Sequence, residues 1–329
     1  MITALRIERF KSIKRLELRC RRINLFIGEP NTGKSNILEA LGLLSWCGTG
    51  KYPLKEFVRF QLMQNLFYDC LTDEPVLIEH QGKTRVGLRL TLEREEFVLT
   101  GDGIQPEAES SDTRIARFSY SGEGYLEWHA PDAFPVKFYR FAALERVDSN
   151  EPGPLLPPKG HNLFTVIYKS KTLREFAAEL FRHYGLAIVF KPHERAIELQ
   201  KQQDGIVIAY PYALVSDTLQ RTLFFRAAIE SNRDAVLVFE EPEAHAFPYY
   251  TKHLGERIAL DQSNQYFIAT HNPYLLTAIL EKANKEEVAV FATRYRDYAT
   301  EAHLLTESQL ARLLEADPFL GLEHTLEGG

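Results

Sequence analysis

The chain has 329 residues, of which 45% are apolar and 26% charged, a composition typical of a folded globular protein. Its 39 basic and 45 acidic residues give a net charge of −6, which excludes a uniformly cationic surface that binds nucleic acid by charge alone. The three cysteines are too few for a disulfide framework and favour a reducing, cytoplasmic location. Because no stretch has the roughly 20 apolar residues of a membrane span, we expect no membrane partner.

The N-terminal part predicts two alternating strands, then a buried strand, a loop and a helix. Leu5 and Ile7 begin the alternation, and the apolar run 23–27 is typical of a strand covered on both faces. After Gly33, apolar residues recur at helical spacing. Strand, glycine-bearing loop and helix in this order predict an α/β nucleotide-binding unit.

The middle of the chain predicts a different architecture. Short alternating runs between 76 and 141 are typical of antiparallel hairpins. The segment 149–160 is rich in proline and glycine, which predicts a loop or boundary. Beyond it, an amphipathic pattern over 173–184 predicts a helix, and a second helix follows from about Thr218.

The C-terminal part predicts further buried strands and a last helix. The apolar runs 236–239, 266–269 and 288–291 are typical of strands that are covered on both faces. Thr306 and Gln309 form a capping-box pattern ahead of the last helix.

The segment from Gly28 to Ser35 matches the phosphate-binding pattern G-x-x-x-x-G-K-[ST], after a buried strand and before a helix. In this context backbone N–H groups and the helix N-terminus face an anion. We predict that Lys34 reaches the β- and γ-phosphates and that the Ser35 hydroxyl ligates Mg²⁺. The alternative is a glycine turn that caps a helix by chance, which the flanking strand and helix disfavour.

Two glutamates follow the strand predicted at 236–239. Because side chains alternate at a strand end, Glu240 and Glu241 can have different roles. Glu240 is predicted to bind Mg²⁺ through water, and Glu241 to polarise the water that attacks the γ-phosphate. The alternative is a pair of solvated acids, which the neighbouring phosphate loop makes the weaker interpretation.

A histidine follows the next predicted strand, at 266–269. The carboxyl edge of a parallel sheet is where ligands bind in open α/β folds. We therefore predict that His271 senses the γ-phosphate or positions the attacking water. The alternative is a turn residue whose hydrogen bonds are satisfied locally.

Four segments together resemble the ABC-type ATPases of the SMC, RecF and OLD group. They are residues 5–13, 33–40, 240–245 and 270–273. More narrowly, the chain resembles the stand-alone AAA family ATPases close to the OLD ATPase module, and the segment 156–163 is also common among those small ATPases.

The resemblance implies an α/β P-loop NTPase fold with a mixed sheet, an antiparallel β lobe and a helical subdomain. It implies a single ABC-type ATPase domain over 1–329, with the lobe at about 52–148 and the helical signature subdomain at about 160–235. The metal-binding strand and switch histidine then lie in about 236–329. We expect neither a long coiled-coil arm nor room for a C-terminal nuclease domain.

The resemblance also implies ATP and Mg²⁺ as cofactors, and a homodimer that encloses two ATP molecules. The implied nucleotide-binding residues are Gly28, Asn31, Thr32, Gly33, Lys34, Ser35 and Asn36, with Lys11 and Ser12 near the base or ribose. Ser216 of the partner protomer would face the γ-phosphate, and Thr218 stands where the family has glycine. For the glutamine that links nucleotide state to the lobe, Gln61, Gln64 and Gln81 are alternatives.

The predicted function is an ATPase switch that joins two heads around ATP and separates them on hydrolysis. By the resemblance, the output goes to DNA or to a separately encoded effector protein, in genome maintenance or phage defence. A slow-turnover, nucleotide-gated binding module is the alternative that Thr218 suggests, and a P-loop kinase is a weaker one. Basic residues cluster over 11–22, but strand alternation favours a solvated face over a DNA groove.

Overall fold

The computed structural model describes residues 1–103, 113–127, 134–143 and 149–315. Its strands are β1 (Ala4–Phe10), β2 (Ile13–Arg19), β3 (Ile23–Ile27), β4 (Val76–Gln81), β5 (Arg85–Glu93), β6 (Glu96–Asp102), β7 (Thr113–Phe118), β8 (Gly124–Leu126), β9 (Val136–Tyr139), β10 (Ala187–Lys191), β11 (Ala196–Gln203), β12 (Ile206–Pro211), β13 (Val236–Glu240), β14 (Gln265–Ala269), β15 (Val288–Arg296) and β16 (Ala299–Leu304). Its α-helices are α1 (Lys34–Thr49), α2 (Leu163–Lys169), α3 (Lys171–Arg182), α4 (Asp217–Ser231), α5 (Pro248–Leu260), α6 (Pro273–Lys282) and α7 (Glu307–Glu315). In these described ranges no helix is long and apolar enough to cross a membrane.

A six-stranded sheet forms the centre of the fold, in the order β16-β15-β3-β14-β13-β9. All neighbouring pairs are parallel except β15 with β16. The predicted buried strands at 23–27, 236–239, 266–269 and 288–291 are confirmed as members of this sheet. Since β3, β13 and β14 run in one direction, their carboxyl ends lie at one edge of the sheet.

The two faces of the central sheet pack into different apolar cores. Phe26 and Val238 point into the core that contains α1. Leu25 and Phe239, their chain neighbours, point into the core that contains α2 to α6. This alternation explains the continuous apolar runs, because a strand covered on both faces has no solvent side.

The antiparallel lobe is a seven-stranded sheet in the order β2-β1-β4-β5-β6-β7-β8. Two of its strands come from the first 20 residues of the chain, well before the predicted start of the lobe at about residue 52. Conversely, β9 falls inside the predicted range but pairs with β13 in the central sheet. Strand alternation reports only one buried face, so it does not tell which sheet a strand joins.

Helix α1 lies between the lobe and the central sheet. Its apolar residues point in all directions, which is typical of a helix that is covered all round. The helix is also the longest among the described residues, at 16 residues, so none of them forms a coiled-coil arm. The predicted helices at 173–184 and from about Thr218 correspond to α3 and α4.

The predicted capping box before α7 is confirmed. Thr306 N–H donates to Oε1 of Gln309 at 2.9 Å, and Gln309 N–H donates to Oγ1 of Thr306 at 3.3 Å. Two N–H groups that the helix leaves without acceptors are thereby satisfied.

Candidate nucleotide site

The loop between β3 and α1 has the backbone shape of an anion cradle. Asn31 and Gly33 have positive φ angles of 63° and 93°, and Gly33 is the N-cap residue of α1. Left-handed residues in such a loop turn successive N–H groups toward one point. The N-terminus of α1 adds its partial positive charge. The loop therefore fits a phosphate group.

Lys34, the first residue of α1, points back over this loop. Its ammonium group donates to the carbonyl oxygens of Gly28 and Glu29 at 2.8 and 2.7 Å. Burial lowers the pKa of Lys34 to about 8, although the charge of Glu241 opposes this shift. Phosphate oxygens are stronger acceptors than these carbonyls, so the side chain is placed to bind them.

Hydroxyl groups from β15 and β16 line the loop, and no sequence pattern predicts this contribution. Oγ1 of Thr32 is 2.7 Å from Oγ1 of Thr293. Oγ of Ser12 is 2.6 Å from Oγ1 of Thr300, and Asn36 donates to Ser12 at 2.6 Å. Three predicted site residues thus make hydrogen bonds here: Thr32 with Thr293, and Ser12 with both Thr300 and Asn36.

Glu241 and His271 meet where β13 and β14 end. Nε2 of His271 is 3.3 Å from Oε1 of Glu241, and the two side chains are 36% and 45% exposed, respectively, so water reaches both. The hydrogen bond from His271, together with the charges of His271, Lys34 and Arg59, lowers the pKa of Glu241. The carboxylate is therefore ionised at neutral pH, beside the phosphate loop.

Glu240 lies in a cluster of five charged side chains. Its carboxylate accepts from Arg59 at 2.8 Å and from Arg140 at 2.9 Å. Glu39, fully buried in α1, binds the same two arginines and the ammonium group of Lys11. The structure therefore holds the Lys11 ammonium in this cluster. A metal ion at Glu240 would compete with the two arginines for the carboxylate.

The charged cluster leaves only a weak indication in the sequence. Glu39 interrupts the apolar helical pattern of α1, and a charged residue at an inward position is seldom buried without a partner. Arg59 and Arg140 lie in irregular segments, where no periodicity shows which way a side chain points.

No group of three or more His, Cys, Asp or Glu side chains in the described part of the chain could hold a metal ion by itself. Mg²⁺ binds through one or two protein oxygens, several waters and the substrate phosphates. The Ser35 hydroxyl, in the first turn of α1, as a direct ligand and the Glu240 carboxylate, through water, are the oxygen groups that we propose for Mg²⁺.

Ser216, predicted to contact the nucleotide of a partner protomer, immediately precedes α4. It lines a groove of about 640 Å³ with Thr218, Phe247 and residues of β11 and β12. None of the described phosphate-loop residues lines this groove, so within one chain Ser216 does not complete the site. Thr218 donates to the carbonyl oxygen of His245 at 2.8 Å, which ties α4 to the loop after β13.

Glu243 connects the loops that carry Glu241 and His271. Its Oε1 accepts from the Thr270 hydroxyl and from the His271 N–H. The side chain is buried, and among the described residues nothing donates to Oε2. Burial raises the pKa of Glu243 to about 6. These contacts position the loop that carries the histidine.

The titration of Glu243 predicts a pH dependence of stability. Its pKa in the folded chain lies above the ordinary value of 4.5. Protonation of Glu243 therefore favours the folded state. As the pH rises from about 4.5 through 6, the free energy of unfolding decreases by about 2 kcal/mol. Glu243→Gln keeps an oxygen acceptor without the charge. We expect urea unfolding to show the variant more stable than wild type at pH 8, by about 1 to 2 kcal/mol.

At pH 5 this advantage should shrink, because the wild-type carboxyl is then mostly protonated in the fold. A variant that is less stable than wild type at pH 8, or an advantage that does not change with pH, would show that burial does not raise this pKa.

Comparisons with known proteins show the family and the fold of the chain. The family model described as "AAA domain, putative AbiEii toxin, Type IV TA system" matches residues 23–277. The chain belongs to this AAA family. The matched range contains the phosphate loop, Glu240, Glu241 and His271. A comparison with curated protein sequences found no match.

Solved structures show the relation of this AAA chain to SMC heads. An SMC head bound to the C-terminal winged helix domain of ScpA has a TM-score of 0.52 at 14% identity, over 94% of this chain and 99% of that one. A Pyrococcus furiosus SMC head with an extended coiled coil, bound to the C-terminal domain of ScpA, has a TM-score of 0.49 at 14% identity, over 95% and 98%. The first likeness shows that this AAA chain has the fold of an SMC-type P-loop ATPase head.

Proposed function

We propose that this chain binds ATP with Mg²⁺ and hydrolyses it. One observation carries the proposal: the phosphate loop, His271 and Glu241 follow the neighbouring parallel strands β3, β14 and β13 at one edge of the sheet, and Nε2 of His271 is 3.3 Å from Oε1 of Glu241. A phosphate-binding loop and a hydrated carboxylate in one site are the two parts that nucleoside triphosphate hydrolysis needs.

In this proposal each side chain acts by position and charge. Lys34 binds the β- and γ-phosphates. Ser35 directly, and Glu240 through water, would hold Mg²⁺, which would neutralise phosphate charge. Glu241 accepts a hydrogen bond from the attacking water, and His271 fixes the carboxylate in that orientation.

We further propose that two copies enclose the nucleotides. Within one chain Ser216 lines a groove that no described phosphate-loop residue lines, and the proposal therefore assigns its contact with ATP to another copy. The hydrogen bond from Thr218 to His245 holds the start of α4 against the loop that follows Glu241. This contact also supports the slow-turnover alternative, because the threonine hydroxyl is already used inside the chain.

We favour a protein over DNA as the partner that responds to the nucleotide state of this chain. In the basic stretch 11–22, Lys11 is paired with the buried Glu39. Arg21 and Arg22 donate to backbone carbonyls of other segments. These cations serve the fold and leave less charge for a phosphate backbone. The SMC head with the higher TM-score was solved with a protein domain bound, which agrees with such an output.

Phosphate release from ATP tests the proposal directly. The purified chain should release phosphate only when Mg²⁺ is present. Lys34→Ala should weaken ATP binding at least ~100-fold, since two charge-assisted hydrogen bonds to phosphate are lost. Lys252→Ala, an exposed lysine in α5, is the matched control and should behave as wild type. Release that persists unchanged in Lys34→Ala would contradict the assignment of the site.

A further inference from the structure

The hairpin of β15 and β16 forms one wall of the proposed nucleotide site. Its Thr293 contacts Thr32 in the phosphate loop, and its Thr300 contacts Ser12. A Cβ atom at Gly33 would lie 1.9 Å from Oγ1 of Thr300, so the hairpin and the loop are in direct contact. One face of the hairpin is therefore the face turned toward the nucleotide.

Tyr295 lies on that same face. It follows Thr293 by two positions on β15 and stands directly opposite Thr300 in the register of the hairpin. Residues two apart on a strand, and residues directly opposite across an antiparallel pair, point to the same side of the sheet. Its side chain is 52% exposed. The tyrosine ring thus continues the row of threonine hydroxyls outward, beyond the phosphate loop.

The hairpin that carries Tyr295 is fixed by a contact with another segment of the chain. Tyr68 donates its hydroxyl hydrogen to the carbonyl oxygen of Tyr298 at 3.1 Å, which ties the hairpin tip to the segment after α1. Burial, the charge of Asp69 and, least, the charge of Tyr295 raise the pKa of Tyr68. The hairpin that carries Tyr295 is thus held at its tip by the segment after α1.

The turn at the tip supports a functional role for this wall. Asp297 and Tyr298 have φ angles of 47° and 62°, in a two-residue turn that usually takes Asn-Gly. A bulky residue with a positive φ costs free energy that a glycine would avoid, and such strain is concentrated at ligand sites. The strained turn directs the Tyr298 carbonyl at Tyr68.

A chain of hydrogen-bonded polar side chains extends from the first turn of α1 to the strand position opposite Tyr295. The Asn36 side chain, in the first turn of α1, donates to Ser12, and Ser12 bonds to Thr300, which stands opposite Tyr295. A nucleotide has the same order of chemistry: phosphate, then a hydroxyl-bearing ribose, then a flat aromatic base. Aromatic side chains bind bases by stacking on their faces.

We propose that Tyr295, on the hairpin that Tyr68 holds through the Tyr298 carbonyl, is the platform on which the nucleobase stacks. The inference rests on the proposed function, because it concerns the base of the nucleotide whose phosphates the P-loop binds. Stacking accepts any base face. The platform therefore adds affinity for a nucleoside triphosphate over inorganic tripolyphosphate and discriminates little between ATP and GTP.

Calorimetry with ATP and with inorganic tripolyphosphate, both with Mg²⁺, tests the platform. Tyr295→Ala should weaken ATP binding about tenfold, as loss of one stacked base predicts, and leave tripolyphosphate binding unchanged. Tyr295→Phe keeps the ring and should bind ATP as wild type does. Tyr125→Ala removes a tyrosine that is 63% exposed on β8 in the lobe, and it should leave both affinities unchanged.

The outcomes separate this proposal from the function on which it rests. If Tyr295→Ala binds ATP as tightly as wild type, or loses ATP and tripolyphosphate equally, the platform is overturned and the phosphate site stands. If the wild-type chain binds ATP no more tightly than tripolyphosphate, the platform is again overturned. If the wild-type chain binds neither ligand, the proposed function fails, and the platform fails with it.

Discussion

Glu241→Gln should lower the rate of ATP hydrolysis by about 10² to 10⁴-fold, the range for loss of a positioned base, while ATP still binds. Glutamine keeps the size of the side chain but cannot accept the proton of the attacking water. The neighbouring Lys34 and the phosphate loop are untouched, so the binding contacts remain. Phosphate release under multiple turnover measures the rate, and calorimetry measures the affinity.

The same variant should accumulate as an ATP-bound dimer. If hydrolysis separates the two copies, blocking it traps the joined state. Light scattering should then show a doubled mass for Glu241→Gln with ATP and Mg²⁺, and a single-chain mass when either is left out. Wild type should show the dimer only transiently.

The chain contains a matched control for this experiment. Glu301 and His303 form an exposed pair with 3.2 Å between Oε2 and Nε2, close to the 3.3 Å of Glu241 and His271. Because side chains alternate along β16, Glu301 points to the face opposite Thr300, away from the phosphate loop. Glu301→Gln should hydrolyse ATP as wild type does. Hydrolysis by Glu241→Gln within twofold of wild type would refute Glu241 as the base.

Gly33→Ala should strongly weaken nucleotide binding and destabilise the fold. An added Cβ would lie 1.9 Å from Oγ1 of Thr300 and 2.8 Å from its Cβ, distances that only a shift of backbone can relieve. The φ angle of 93° adds strain for any residue with a Cβ atom. Because Gly33 is the N-cap of α1, such a shift would move the N–H groups that face the phosphate.

Gly153→Ala separates the effect of backbone strain from the effect of the steric clash with Thr300. Gly153 has a φ of 110°, and no heavy atom lies within 4 Å of the position that a Cβ would take, so alanine there adds backbone strain without a clash. We expect a loss of about 1 to 2 kcal/mol in the free energy of unfolding for Gly153→Ala, with ATP affinity unchanged. Gly33→Ala should lose more stability and bind ATP at least ~100-fold more weakly, about 3 kcal/mol.

Calorimetry with ATP and thermal unfolding together check this pair. Equal losses of stability in the two variants would mean that Thr300 yields to the new methyl group. Retained ATP binding by Gly33→Ala would contradict the close contact between the loop and the hairpin.

Local patterns in the sequence predict the strands of the central sheet and the position of the phosphate loop. Strand 23–27 and the helix after Gly33 can be recognised because burial on both faces and helical spacing leave signals within a few residues. The pairing of Glu241 with His271 can also be anticipated, since both follow parallel strands that end at one edge of the sheet.

Contacts between distant parts of the chain leave no such signal. Thr293 and Thr300 are ordinary strand residues in the sequence, and only the pairing of β15 with β3 brings them to the phosphate loop. The same holds for Arg140, which reaches Glu240 and Glu39 because β9 joins the central sheet and not the lobe. Which sheet a strand joins depends on long-range packing, which alternation does not report.

The membership of β1 and β2 in the lobe has a mechanical consequence. The chain starts in the seven-stranded sheet, passes into the central sheet at β3, returns to the lobe after α1, and leaves it again before β9. The chain therefore connects the two sheets at three points, and α1 packs between them. Both features oppose rotation of the lobe about a single hinge. If phosphate at the N-terminus displaces α1, we therefore expect the whole lobe to move together with the helix as one rigid body.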